Sequence, residues 1–83
     1  MNFRAWLRAR SGDFLIMDTD SAAARVSRRY AFCKDFPTSD DFQDFAEYVR
    51  QYSFPDDYVE EDVLSLRIAW HEFKQLENTQ EVV

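Results

Sequence analysis

The chain has very little glycine, proline or cysteine: one Gly, two Pro and one Cys among 83 residues. Folds built from many short strands need turn residues at regular intervals, so this composition argues against an all-β protein and favours helices joined by short connections. A single cysteine excludes a disulfide within the chain. Because no secretory leader pattern and no long apolar run is seen, we expect a reducing cytoplasm and no membrane-spanning helix.

Aromatic residues are abundant, with eight Phe, four Tyr and two Trp. A chain of this length buries only about 60–65% of its unfolded surface, and large rings let a small helical core reach sufficient burial. We therefore predict one domain over residues 1–77, followed by a frayed tail over residues 78–83.

Charge is divided unevenly along the chain, although the net charge is only −6. Residues 1–34 carry seven basic residues against three acids, whereas residues 35–83 carry three against thirteen. Such a chain can pack its two halves against each other, or present faces of opposite sign to partners.

Apolar residues recur at helical spacing in four segments. The predicted helices run from about Asn2 to Arg10, from Asp18, Asp20 or Ser21 to about Phe32, from about Ser39 to Tyr52, and from Glu60–Asp62 to Glu77. The spacing thus predicts an all-α, single-domain bundle of four to five short helices.

Several residues mark where these helices begin and end. Asn2 is a predicted N-cap, and Gly12 a left-handed C-cap. Pro37 keeps Phe36 out of the helical region, after which Thr38 or Ser39 is expected to cap the third helix. We expect the apolar run Phe14–Met17 to be an irregular connection at one end of the core.

Three segments together carry a family resemblance. They are Asn2–Leu7 (NFRAWL), Asp35–Phe42 (DFPTSDDF) continued by Phe45–Val49 (FAEYV), and Ile68–Phe73 (IAWHEF). In order and spacing they resemble the YozE-like family of short bacterial proteins, in which a second aromatic usually stands where this chain has Arg4. The resemblance implies a fold similar to sterile alpha motif (SAM) domains and no established catalytic residues.

No residue pattern indicates catalysis, a metal or a cofactor. His71, the single histidine, has Arg67 and Gln75 four residues away on either side, so no ligand pair forms and we expect a solvent-facing or rim position. For Cys33, a buried structural thiol is favoured over a reactive one beside Lys34. The acid clusters are explained by helix capping and solubility, because no glycine follows Gly12 to shape a calcium loop.

Basic residues of the N-terminal half form the candidate partner-binding face. They are Arg4, Arg8, Arg25, Arg28 and Arg29. Arginine binds phosphate bidentately, so this face could dock on nucleic acid, although the acidic second half would repel a polyanion. The favoured alternative is that these arginines pair with acids of the third and fourth helices.

The sequence therefore predicts a non-enzymatic protein–protein interaction module with an unidentified protein partner. Nucleic-acid binding through the basic face is the alternative. Leu64 and Ile68 widen the apolar stripe of the last helix, which indicates that this helix packs against more than one other element or is partly covered by a partner. We accordingly expect a monomer or a weak homodimer.

Overall fold

Four α-helices and one π-helical segment make up the described part of the chain. The computed structural model describes residues 2–12, 21–53 and 58–81, with side chains as far as residue 76. In chain order the elements are α1 (Phe3–Ala9), α2 (Ala22–Val26), the π-helical segment Ser27–Ala31, α3 (Phe42–Tyr52) and α4 (Val59–Glu81). No strand occurs in these ranges, so the predicted all-α class is confirmed.

The first helix begins as predicted and ends differently. The Asn2 side chain accepts a hydrogen bond from Ala5 N at 2.8 Å, which confirms the N-cap. At the other end Arg10 N donates to Leu7 O at 2.8 Å, a tightened last turn. Gly12 lies beyond this turn and does not adopt the left-handed backbone, so its predicted role as C-cap was wrong.

Ser21 is the residue that caps α2, accepting from Ala24 N at 3.0 Å. The helix continues into the π-helical segment and ends at Ala31, one residue before the predicted end. Within the segment Tyr30 and Ala31 are buried while Arg28 and Arg29 are exposed. The other two cap candidates and the apolar run 14–17 lie outside the described residues.

The cap of α3 is Asp41, and not Thr38 or Ser39 as predicted. Asp41 keeps an extended backbone, and its side chain accepts from Gln43 N at 3.0 Å. Ser39 instead donates its hydroxyl hydrogen bond to the Asp44 carboxylate at 2.6 Å. The irregular stretch after buried Phe36 includes a bend at residues 39–40, and the helix begins at Phe42, later than expected.

The last helix is the longest element, with 23 residues. It begins close to the predicted position and extends to Glu81, past its predicted end at Glu77 and into residues 78–81 of the predicted tail. No helix in the described residues combines the length and the apolar character needed to cross a bilayer.

Phe3 lies at the centre of the core and is fully buried. Its ring centroid is 4.9 Å from Phe45, 5.0 Å from Trp70 and 5.4 Å from Phe73. One residue of α1 thereby joins α3 and α4. Edge-to-face ring pairs of this kind add about 0.5–1.5 kcal/mol each beyond the area they bury.

Candidate functional site

The last helix has two faces of different character. Leu66, Ala69 and Phe73 point into the core and are at most 3% exposed. The opposite side, which we call the outer face of α4, consists of exposed residues at helical spacing: Glu60, Leu64, Arg67, Ile68 and His71. At its middle Leu64 is 58% exposed and Ile68 43% exposed.

Two shallow hollows border this outer face. The first has a volume of about 310 Å³ and lies between α3 and α4; its lining is Arg50, Val59, Glu60, Val63, Leu64 and Arg67. The second, of about 280 Å³, is lined by Phe42, Gln43, Arg67, Trp70 and His71. Because Arg67 lines both, the hollows adjoin and form one continuous surface with the exposed leucine.

The charges at the rim of this surface are of both signs. Glu60, Arg50 and Arg67 form no ion pair with any residue of the described ranges. The Arg67 guanidinium carbon lies 6.0 Å from the centre of the Phe42 ring, a cation–π contact. The surface therefore combines apolar side chains with carboxylate and guanidinium groups that are available to a second molecule.

A buried polar cluster anchors the start of the same helix. Asp62 is 1% exposed and accepts hydrogen bonds from the Tyr30 hydroxyl and, at 2.8 Å, from the Ser53 hydroxyl. Arg29 reaches its other carboxylate oxygen at 3.4 Å. This cluster, the Asp62 junction, joins the π-helical segment, the end of α3 and the start of α4.

The hydroxyls of two tyrosines donate hydrogen bonds to carboxylates, and both hydroxyls have a raised pKa. Burial, with the hydrogen bond to Asp62, raises the pKa of the Tyr30 hydroxyl. Burial and a 2.8 Å hydrogen bond to Asp35 likewise raise the pKa of Tyr48. Both phenols are therefore neutral hydrogen-bond donors at pH 7.

The predicted basic face is largely engaged within the molecule. Arg25 pairs with Glu61 at 3.2 Å, and Arg29 reaches Asp62. These are pairs with acids of the fourth helix, the alternative favoured above. Both arginines are thus held at the start of α4.

Main-chain oxygens and one ring contact two of the other three basic residues, Arg28 and Arg8. Arg28 Nε donates to Ser11 O at 2.6 Å, and Arg8 Nε donates to Ala31 O at 2.7 Å. The Arg8 guanidinium also lies 5.5 Å from the centre of the Phe32 ring. Arg4 is half-buried on α1. A partner-binding role for these five residues stays a prediction.

The other candidates occupy the surface. His71 is exposed, at the rim of the second hollow. Cys33 is also exposed, so the expectation of a buried thiol was wrong; its Sγ lies 3.8 Å from Arg29 O. No group of three or more metal-ligating side chains occurs within the described ranges.

The sequence analysis missed two features of this region. It treated Asp62 as one more acid in a capping cluster, whereas Asp62 is buried and its neighbours Glu60 and Glu61 are exposed. It also passed over Arg50 and Arg67, although they are two of only three basic residues after residue 34. Their scarcity in an acidic half was the signal that could have found them.

Comparison with protein-family models, with curated proteins and with solved structures found no match to the chain. The resemblance to the YozE-like family stays a prediction.

Proposed function

We propose that the chain is a non-enzymatic protein–protein interaction module of the cytoplasm, and that it binds through the outer face of α4. The observation that carries this proposal is the exposure of Leu64 and Ile68, one helical turn apart, beside the two hollows. Single exposed apolar residues are ordinary on protein surfaces. Here they adjoin each other and a recess whose lining includes Val59 and Val63, which is typical of a binding surface.

Energetics also favour binding over folding as the role of these side chains. Burying a leucine or isoleucine fully stabilises a structure by about 1.5–3 kcal/mol, and more than 40% of each side chain is left in water here. A partner that covers both would gain much of that free energy. Interfaces have this anatomy, with an apolar centre and a polar rim.

The family resemblance gives a second, weaker support. Domains similar in fold to SAM domains act through contacts with proteins, nucleic acids or their own copies, and fold similarity alone does not choose among these. The nucleic-acid alternative lacks comparable support in this molecule. Arg25 and Arg29, which it would need, contact Glu61 and Asp62.

Affinity capture with matched variants tests the proposal. The tagged wild-type chain is compared with L64D/I68D and with L76D in cells that naturally produce it. Leu76 is a suitable control because it lies on the same helix and is 46% exposed, but points away from the outer face. We expect the wild type and L76D to capture the same proteins, including other copies of the chain, and L64D/I68D to lose them.

Capture that is equal for all three chains would overturn the proposed surface. Circular dichroism of each variant checks the fold. We expect unchanged helical content, because substitutions at exposed positions alter stability little.

A further inference from the structure

The outer face of α4 carries its charges in a definite order. Glu60 lies one helical turn before Leu64, and Arg67 lies about one turn after it, beside Ile68. At 1.5 Å per residue the acid and the base are about 10 Å apart along the axis, with the exposed leucine between them. The order along the helix is therefore acidic, apolar, basic.

Such an order is self-complementary when two copies of the helix meet antiparallel. A two-fold axis passing beside Leu64 relates position 60 of one helix to position 67 of the other. Each Glu60 then faces Arg67 of the second copy, and the two leucines meet at the axis. A surface patch that binds its own image in this way is what a symmetric dimer requires.

We propose that the outer face of α4 binds a second copy of this chain, with the two α4 helices antiparallel. Leu64 of the two copies forms the apolar centre, and two reciprocal pairs of Glu60 with Arg67 of the second copy fix the register. In this register Ile68 lies just outside each charged pair and faces Val59 of the second copy. This inference rests on the proposed function and names its partner.

The surroundings of Leu64 fit this partner. The hollow of about 310 Å³, with Val59 and Val63 in its lining, adjoins the leucine and offers a recess for the leucine of the second copy.

Sedimentation velocity of charge-reversal variants tests the proposal. In E60R alone, and in R67E alone, both interchain pairs become pairs of like charge. An equal mixture of the two variants restores both pairs in the heterodimer, because the two introduced charges face each other and the two remaining native charges, Glu60 and Arg67, face each other. Neither Glu60 nor Arg67 contributes an ion pair to the fold in the described residues, so both variants should fold.

We expect the wild type to dimerise weakly, because a contact between two single helices belongs to the class of small interfaces. The sedimentation experiment therefore covers protein concentrations up to about 1 mM. Each variant alone should dimerise about tenfold less tightly, and the mixture should recover the wild-type affinity. L76D, the matched control, should behave as the wild type.

Two results would overturn this inference. One is a wild-type chain that stays monomeric at a protein concentration of about 1 mM, at which even a weak specific interface should form. The other is a dimer whose affinity is the same in the wild type, in each variant and in the mixture, which would place the contact elsewhere. If either result accompanies Leu64-dependent capture of other proteins, the second copy fails as the partner while the proposed interaction function stands.

Discussion

Leu64 and Leu66 are the same residue type, two positions apart on the same helix, and their surroundings are opposite. Leu66 is fully buried against the core, whereas Leu64 is 58% exposed. The helical period alone places them on different sides of α4. The inner side holds the bundle together, and the outer side is left with apolar surface that the fold does not use.

The start of α4 shows the same contrast among its acids. Asp62 is buried and bonded to Tyr30 and Ser53, while Glu60, two residues earlier, is exposed at the rim of a hollow. The difference shows that one short acidic run contains a buried member that the fold uses and an exposed member, Glu60, to which we assign a role in the proposed binding surface. The substitutions below separate these roles, starting with the largest expected effect.

Alanine substitution of the two leucines should give the largest difference. Leu66→Ala removes buried methyl groups and leaves a cavity, so the free energy of unfolding should fall by about 2–5 kcal/mol. Leu64→Ala should change it by less than about 0.5 kcal/mol. Urea unfolding at low protein concentration, where association is negligible, measures both. Equal losses at the two positions would contradict the assignment of the two faces.

Alanine substitution of the two acids should give the next largest difference. Asp62→Ala leaves the buried hydroxyls of Tyr30 and Ser53 without their acceptor, and each unsatisfied buried group costs about 1–3 kcal/mol. Arg29 adds less, because its side chain is 35% exposed and partly solvated. Glu60→Ala should cost under about 1 kcal/mol, mainly through the helix dipole.

The control for this comparison is Asp62→Asn, which keeps an acceptor oxygen and the side-chain shape. We expect its stability to lie between those of the wild type and Asp62→Ala in the same urea measurement. A stability of Asp62→Ala equal to that of the wild type would show that the Asp62 junction does not hold the start of α4.

The ion pair of Arg25 with Glu61 should contribute less. Its side chains are 38% and 60% exposed, so solvent and salt screen the attraction. A double-mutant cycle with Arg25→Ala and Glu61→Ala should give a coupling free energy under about 1 kcal/mol, which falls further as salt is added. A coupling free energy as large as the loss of stability in Asp62→Ala would contradict the distinction between the buried Asp62 junction and the exposed pair of Arg25 with Glu61.

Titration of Tyr30 should have the smallest effect at neutral pH and become visible only in alkali. Its pKa is raised in the folded protein above the ordinary value of 10.0, so the folded state favours the neutral phenol. The stabilisation that Tyr30 provides is therefore complete below pH 10 and is lost as the pH rises through the raised pKa. Urea unfolding between pH 8 and about 11 should show this loss, and Tyr30→Phe should reduce it.

Comparison with Tyr48→Phe sharpens this test, because burial raises the pKa of Tyr48 as well. Each single substitution should remove part of the alkaline loss of stability. Stability that falls equally in the wild type and in both variants would mean that neither phenol is responsible.

The sequence was sufficient for the helices because their apolar spacing is regular, but the choice among neighbouring caps depended on packing. Thr38, Ser39 and Asp41 can all cap a helix, and local chemistry does not rank them. In the folded chain the Ser39 hydroxyl donates to the Asp44 carboxylate, and it is Asp41 that accepts from Gln43 N. The cap of α1 was predictable because Asn2 had no competing neighbour.

The candidate site was predictable only in part for the same reason. Leu64 and Ile68 stood out as a widening of the apolar stripe. The burial of Asp62 could not be read from a run of acids, because it depends on Tyr30, which is distant in the chain. The order of the charged residues around Leu64 can be interpreted only once the exposed side of the helix is known.

Photo-crosslinking from position 64 in living cells tests the central claim most directly. A benzophenone amino acid is placed at position 64 and, as a control, at position 76 of the same helix. The account predicts abundant adducts from position 64, including one of twice the chain's mass, and few from position 76. Equal adducts from both positions, or none from position 64, would contradict the claim that the outer face of α4 is a binding surface.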